Sequence, residues 1–272
     1  MIKYDSKPSV KGICDPFGSG FFGKMKDKQE NLYNQKKDDL IVPLEEMART
    51  LITITDEQWC EYAFSREPIN SILTDVERKE FSEKALRCAD EYVEKYKTLG
   101  NPIRIAEQLG IHVAYLERPT AKAMEANRVL FARYTTPGNI EIFTDCTERA
   151  EEAFFSDDMR KILGNVSIKD VLLCHELFHH FEELDEKTIY TENARKVRKV
   201  FNVIPNDARI VCLGEIAAMR FAKGFLNLSY SPYVFDVLLA YLYDRQVACN
   251  LYAKIQRMLG LETIKIEKNF NN

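Results

Sequence analysis

The sequence predicts a mainly helical α+β fold in which a small antiparallel three-stranded sheet packs beside one central helix. Three observations lead to it. Apolar residues recur at helical spacing over much of the chain, between recognisable caps. The period switches to two only between residues 111 and 144. Three of the four histidines fall between His175 and His180, in a stretch whose apolar residues mark one face of a helix.

Composition bounds the answer. A chain of 272 residues suffices for one large domain, or a domain with a subdomain. The hydrophobic and charged fractions, 46% and 29%, are those of a globular protein with a sizeable core. A formal net charge of −4 provides no global field to hold nucleic acid. The first residues, Met1-Ile-Lys-Tyr-Asp-Ser, lack the apolar centre of a signal peptide, and no apolar run approaches the roughly 18 residues of a membrane span. The seven cysteines are odd in number and contain no C-x-x-C pair, so reduced thiols and a cytosolic compartment are expected.

Taken in order, residues 1–65 read as an N-terminal extension, partly flexible, and residues 66–272 as the main domain. Gly18 to Lys24 fits the first seven positions of a phosphate-binding loop, but Met25 stands where a hydroxyl should hold magnesium and no strand precedes it. It is read as a Gly-rich loop, followed by a mixed-charge run from Lys24 to Asp39. Residues 40–66, with the only tryptophan at Trp59, suggest short helices packed on the main body. Thr74-x-x-Glu77 is a capping box opening a helix to about Thr98, stopped by Gly100. Asn101-Pro102 starts a short helix that ends at Gly110.

Strands are expected at 111–116, 128–134 and 140–144, the last two joined by a type II turn at Thr136-Pro-Gly-Asn139. His112 alternates with Ile111 and Val113 and reads as a surface residue. A helix at 147–163 closes at Gly164, and Ser167 with Asp170 opens the next, to about residue 184. Residues 185–206 read as a polar connection whose Arg195, Lys196, Arg198 and Lys199 form a solvated face. Asn206 or Asp207 should cap a helix from 208 to 226, and Ser231-Pro232 should open one long helix to Leu259.

The chemistry concentrates in His175-Glu176-Leu177-Phe178-His179. Residues four apart share a helix face, so His175 and His179 can direct two imidazoles at one ion. Zinc suits neutral imidazole ligands and keeps a position open for water in catalytic sites. Glu176 lies about 100° around the helix, where it can reach that water as a general base. Val171, Cys174, Phe178 and Phe181 form the apolar stripe that should bury the back of the helix. Two histidines leave a third protein ligand to be found. One downstream helix stands out, Gly214-Glu215-Ile-Ala217-Ala218-Met-Arg-Phe221-Ala222. Its alanines permit close helix approach, which a short carboxylate such as Glu215 needs to reach the ion. His180, Tyr190, Tyr230 and Tyr233 are candidate donors for an oxyanion.

The order of strand pair, His-Glu-x-x-His helix and Glu-x-x-Ala-x-x-Phe-Ala helix resembles the ImmA/IrrE family of metallo-endopeptidases, over roughly residues 100–226. Ile105-Ala-Glu-Gln-Leu-Gly-Ile111 is similar to that family's lead-in to its first strand. The resemblance implies a zincin-like core, one zinc ion held by His175, His179 and Glu215, and Glu176 as general base. It also implies a protein substrate, a DNA-binding helix-turn-helix repressor of a mobile element or stress response in a bacterium or phage. Two readings of other classes stand beside it. One is a zinc-binding regulatory module without catalysis, in which the extension covers the cleft and Cys14 supplies a further thiolate ligand. The other is a zinc hydrolase of a small molecule. An intact Glu176 favours an enzyme over an inert module.

Overall fold

A computed structural model describes residues 10–13, 41–117, 130–200 and 204–261. The Gly18–Lys24 loop, the charged run to Asp39 and Cys14 lie outside the described residues. Among the described residues, eleven α-helices and six strands follow one another along the chain: β1 (Val10–Ile13), α1 (Leu44–Leu51), α2 (Asp56–Phe64), α3 (Asp75–Tyr96), α4 (Pro102–Leu109), β2 (His112–Leu116), β3 (Ala132–Thr135), β4 (Asn139–Phe143), α5 (Thr144–Phe154), α6 (Asp157–Leu163), α7 (Ile168–Leu184), α8 (Tyr190–Asn193), β5 (Arg195–Val200), β6 (Ile204–Arg209), α9 (Cys212–Phe225), α10 (Val234–Tyr241) and α11 (Arg245–Met258).

The caps set most boundaries. Thr74 and Glu77 form both halves of the expected capping box, and Gly100, φ 67°, ends the short 3-10 turn that follows α3. The Asn101 side chain accepts from the Ile103 N–H at 2.9 Å, and Pro102 occupies the first helical position. Two helices expected to be continuous are broken by side chains that compete for the backbone. Ser156 accepts from the Met159 N–H at 3.3 Å and starts α6, so residues 147–163 are not one helix. Asp244, with φ −148°, accepts from the Val247 N–H at 3.0 Å and starts α11, so the long C-terminal helix is two.

α9 is the centre of the molecule. It packs against α3 on one side and α7 on the other, and the sheet lies across α7 through β3 and β4. An aromatic stack runs through these helices. Tyr96 lies on Phe181 at 4.7 Å, Phe181 meets Phe221 edge-on at 5.3 Å, and Phe178 is 6.0 Å from Phe221. Arg220 of α9 ties α3 and α2 together through Asp90 and Asp56, at 2.7 Å each. A second group, α1, α6, α10 and α11, packs around the same continuous core.

That core reaches back past the expected boundary at residue 65. Met47, Leu51 and Trp59 are fully buried, and Tyr62 and Phe64 nearly so. α1 and α2 are therefore part of the domain, α1 through the regular one-face stripe Leu44, Met47, Ala48 and Leu51 and α2 through a less regular set, Trp59, Cys60, Tyr62, Ala63 and Phe64.

The sheet has the order β1-β3-β4-β2 and is mixed. β3 and β4 form the expected hairpin, with Gly138 at φ 60° in the turn. β2, however, pairs in parallel with β4, from His112 opposite Asn139 to Leu116 opposite Phe143. Period-two patterning identifies strands but says nothing of partner or direction, so the all-antiparallel expectation had no sequence signal behind it. His112 is exposed, as its alternation suggests.

The expected polar connection is instead a second sheet, the β5–β6 hairpin, with Arg195 opposite Arg209 and Val200 opposite Ile204. α9 accordingly starts at Cys212 and not at residue 208. Lys196 pairs with Glu77 on α3, so at least this member of the basic cluster has a structural partner. Among the described residues, no helix is long and apolar enough to cross a membrane.

Candidate metal centre

α7 enters the core two turns before the motif, with the Ser167 side chain accepting from the Asp170 N–H at 3.2 Å. Val171, Cys174, Phe178 and Phe181 are all buried, fixing the rotation of the helix. This rotation turns His175 and His179 toward α9. There Glu215 stands in the first turn, beside the buried Ala217 and Ala218. The three side chains converge. His175 Nε2 and His179 Nε2 are 3.1 Å apart. Glu215 Oε2 is 3.4 Å from His175 Nε2, and its Oε1 is 3.6 Å from His179 Nε2. Tetrahedral ligands with zinc bonds of about 2.0–2.2 Å would stand about 3.3–3.6 Å apart. The donor set therefore fits one such ion in chemistry and spacing. The two imidazoles are nearly inaccessible and the Glu215 side chain is 31% exposed, so the cluster opens to solvent on the α9 side.

Glu176 points elsewhere, toward the sheet. It is completely buried, and neither carboxylate oxygen makes a hydrogen bond. Burial pushes its pKa up to about 8; His179 lowers it, Glu215 raises it and the Tyr134 main chain adds slight relief. A buried carboxyl without partners is rare in structural cores and marks candidate functional sites. For Glu215, burial disfavours the charged form, but the hydrogen bond with His175 and the charges of His175, His179 and Arg66 outweigh it and hold the carboxyl at about 2.

Behind the cluster stand residues that sequence reasoning missed. Glu182 Oε2 lies 2.8 Å from His179 Nδ1, and both groups are buried. Such a carboxylate fixes the ring and leaves Nε2 available to an ion. Burial opposes a charged His179, yet the Glu182 hydrogen bond and the Glu215 charge raise its pKa. The clue in the sequence was that Glu182 follows His179 by three positions on one helix face. Gly214 makes room for it. A Cβ there would stand 2.7 Å from Glu182 Oε1 and 3.0 Å from Oε2.

A second missed group joins distant parts of the chain. The Tyr62 hydroxyl donates to Asp236 Oδ2 at 2.9 Å, and Arg66 lies 3.5 Å from the same oxygen and 4.4 Å above the Tyr62 ring. Burial raises Asp236 to about 6, against the pull of Arg66 and Tyr62. No local pattern could link residues 62 and 236.

The four candidate oxyanion donors separate. His180 turns to the sheet, its Nδ1 3.0 Å from the Tyr134 hydroxyl, which also bonds Glu183. Tyr230 donates to the Leu163 carbonyl at 2.8 Å. Tyr190 lines a groove of about 400 Å³ with Lys84, Arg87 and Cys88. Only Tyr233 lies toward Glu215 and Arg66; it is buried, stacked on Trp59 at 5.5 Å, and its hydroxyl makes no hydrogen bond. Burial pushes that hydroxyl well above the usual tyrosine pKa, so it remains a donor at neutral pH. Among the described residues, His175, His179 and Glu215 form the one cluster of three or more His, Cys, Asp or Glu groups placed to share an ion. Comparisons with protein-family models, with curated proteins and with solved structures find no match.

Proposed function

We propose that this chain is a zinc-dependent endopeptidase acting on a protein substrate. The observation that carries the reading is the convergence of His175, His179 and Glu215 on one point from two packed helices, with the buried Glu176 on the next position of the first. His175, His179 and Glu215 would hold the ion, and Glu182 would orient His179. Zinc bound there would supply Lewis-acid polarisation of a carbonyl and lower the pKa of a water to about 7. Glu176 then accepts a proton at its carboxylate and returns it to the leaving amine nitrogen, work worth about 10²–10⁴-fold. Tyr233, whose buried hydroxyl has no hydrogen-bond partner and interacts electrostatically with Glu215, would be the donor that supports developing negative charge on the substrate carbonyl oxygen. The resemblance to ImmA/IrrE peptidases in motif order points further, to a DNA-binding repressor as substrate.

The test uses Glu176→Gln, which keeps size and removes the base. Zinc should still bind at one per chain, and hydrolysis of a confirmed protein substrate should fall by at least about 100-fold. Turnover like that of the unaltered chain in this variant would remove the mechanism. A zinc-loaded chain that cleaves no helix-turn-helix repressor, but hydrolyses a small amide or ester, would redirect the substrate class.

A further inference from the structure

The two borders of the four-stranded sheet are β1 and β2, and they differ in what lies beneath them. α7 packs against β3 and β4 and also touches β1, whereas β2 lies on the far side of β4 from β3. β3 is bound to α7 through Tyr134, whose hydroxyl reaches His180 Nδ1 at 3.0 Å and bonds Glu183. The main chain of Tyr134 is also the one that faces the Glu176 carboxyl. On its other edge, Tyr134 is paired with Lys11 of β1.

The strand closest to the candidate base is thus covered by a strand from the chain's own N-terminal segment. An uncovered β3 edge would present a row of N–H and C=O groups, the template by which extended peptides add to a sheet. β1 uses that template with the geometry of an added strand. It runs antiparallel, with Val10 opposite Thr135, Lys11 opposite Tyr134 and Ile13 opposite Arg133. The pairing is short, four residues, and a register shift between Lys11 and Ile13 interrupts it. Short, bulged edge pairs are among the least stable parts of a sheet. β1 belongs to the same molecule and bears no translational cost of association, so it competes well against a free segment despite its few bonds.

We infer that the β3 edge over residues 132–135 is the seat of an extended segment of substrate, and that β1 occupies this seat as a built-in competitor. The substrate half of this statement rests on the peptidase reading; the occupancy half rests on the sheet alone. Access to the centre then requires β1 to leave, and a substrate segment replaces it in the same antiparallel sense.

The test weakens β1 within the full chain. Lys11→Pro/Gly12→Pro removes two adjacent N–H groups, so a ladder donor is lost whichever of the two faces β3. Zinc content and melting temperature establish that the centre and core are intact. Hydrogen exchange of the Ala132–Thr135 amides should accelerate by about tenfold or more. Fluorescein-labelled β-casein, an unfolded protein, should bind the variant at least about fivefold more tightly, measured with Glu176→Gln present in both chains so that nothing is cleaved. Unchanged exchange would show that β1 does not hold the edge. Faster exchange with unchanged casein binding would show that the edge is not the seat. If casein binding rises but neither chain with Glu176 intact cleaves casein or a repressor, the seat stands and the peptidase reading falls.

Discussion

Gly214→Ala adds one methyl group at the contact between α9 and α7. The new Cβ would stand 2.7 Å from Glu182 Oε1, where ordinary contact begins near 3.4 Å, a deficit of about 0.7 Å. The Glu182 carboxylate would normally swing aside, but it is buried and engaged by His179 at 2.8 Å. A retreat of that size stretches the bond to about 3.5 Å, beyond useful hydrogen-bond length. Two effects then oppose each other. Alanine in a helix gains up to about 1 kcal/mol over glycine. Losing a buried, charge-assisted hydrogen bond costs about 1.5–3 kcal/mol. The loss should win, leaving the metal-free protein about 0.5–2 kcal/mol less stable. Zinc affinity should fall about 10–100-fold, because His179 loses the partner that orients its ring. Urea unfolding in the presence of a chelator measures the first, and competition with a chromophoric chelator the second. Should Gly214→Ala prove about 1 kcal/mol more stable with unaltered zinc affinity, propensity alone would be acting and the Glu182 contact would carry no weight.

Three further outcomes are expected. Glu215→Ala should lower zinc affinity by at least about 100-fold; full zinc retention after dialysis, read by mass spectrometry, would place the third ligand elsewhere. Asp236 has a folded pKa near 6, raised by burial above its ordinary 3.8, so its contribution to stability is complete below pH 4 and is lost as pH rises through 6. The stability of the metal-free chain relative to Asp236→Asn should therefore fall by up to about 3 kcal/mol from pH 4 to pH 7, and a pH-independent difference would contradict this. Trp59→Ala should cost about 3–5 kcal/mol, as for other fully buried large side chains, and a loss below 1 kcal/mol would return α2 to the periphery.

Local chemistry made much of this molecule legible from its residues. Capping by Thr74 and Glu77, the Asn101-Pro102 start and the Gly100 and Gly110 stops act within one turn, so their helices could be placed closely. The same holds for His175, Glu176 and His179, whose relation is fixed by the geometry of one helix. Glu215 was reachable because the small residues beside it announce a close helix contact. Tertiary structure decided the rest. That β2 runs parallel to β4, that β1 covers β3, and that residues 195–209 form a hairpin depend on which strand edges meet, and a single strand's pattern does not encode its partner. The Tyr62–Arg66–Asp236 group and the fit of Glu182 against Gly214 arise from side chains brought together across 174 and 32 positions (236 − 62 and 214 − 182). Only the packed core specifies such pairs, because the free energy that selects them comes from excluding water and filling space between elements, not from the preferences of either segment alone.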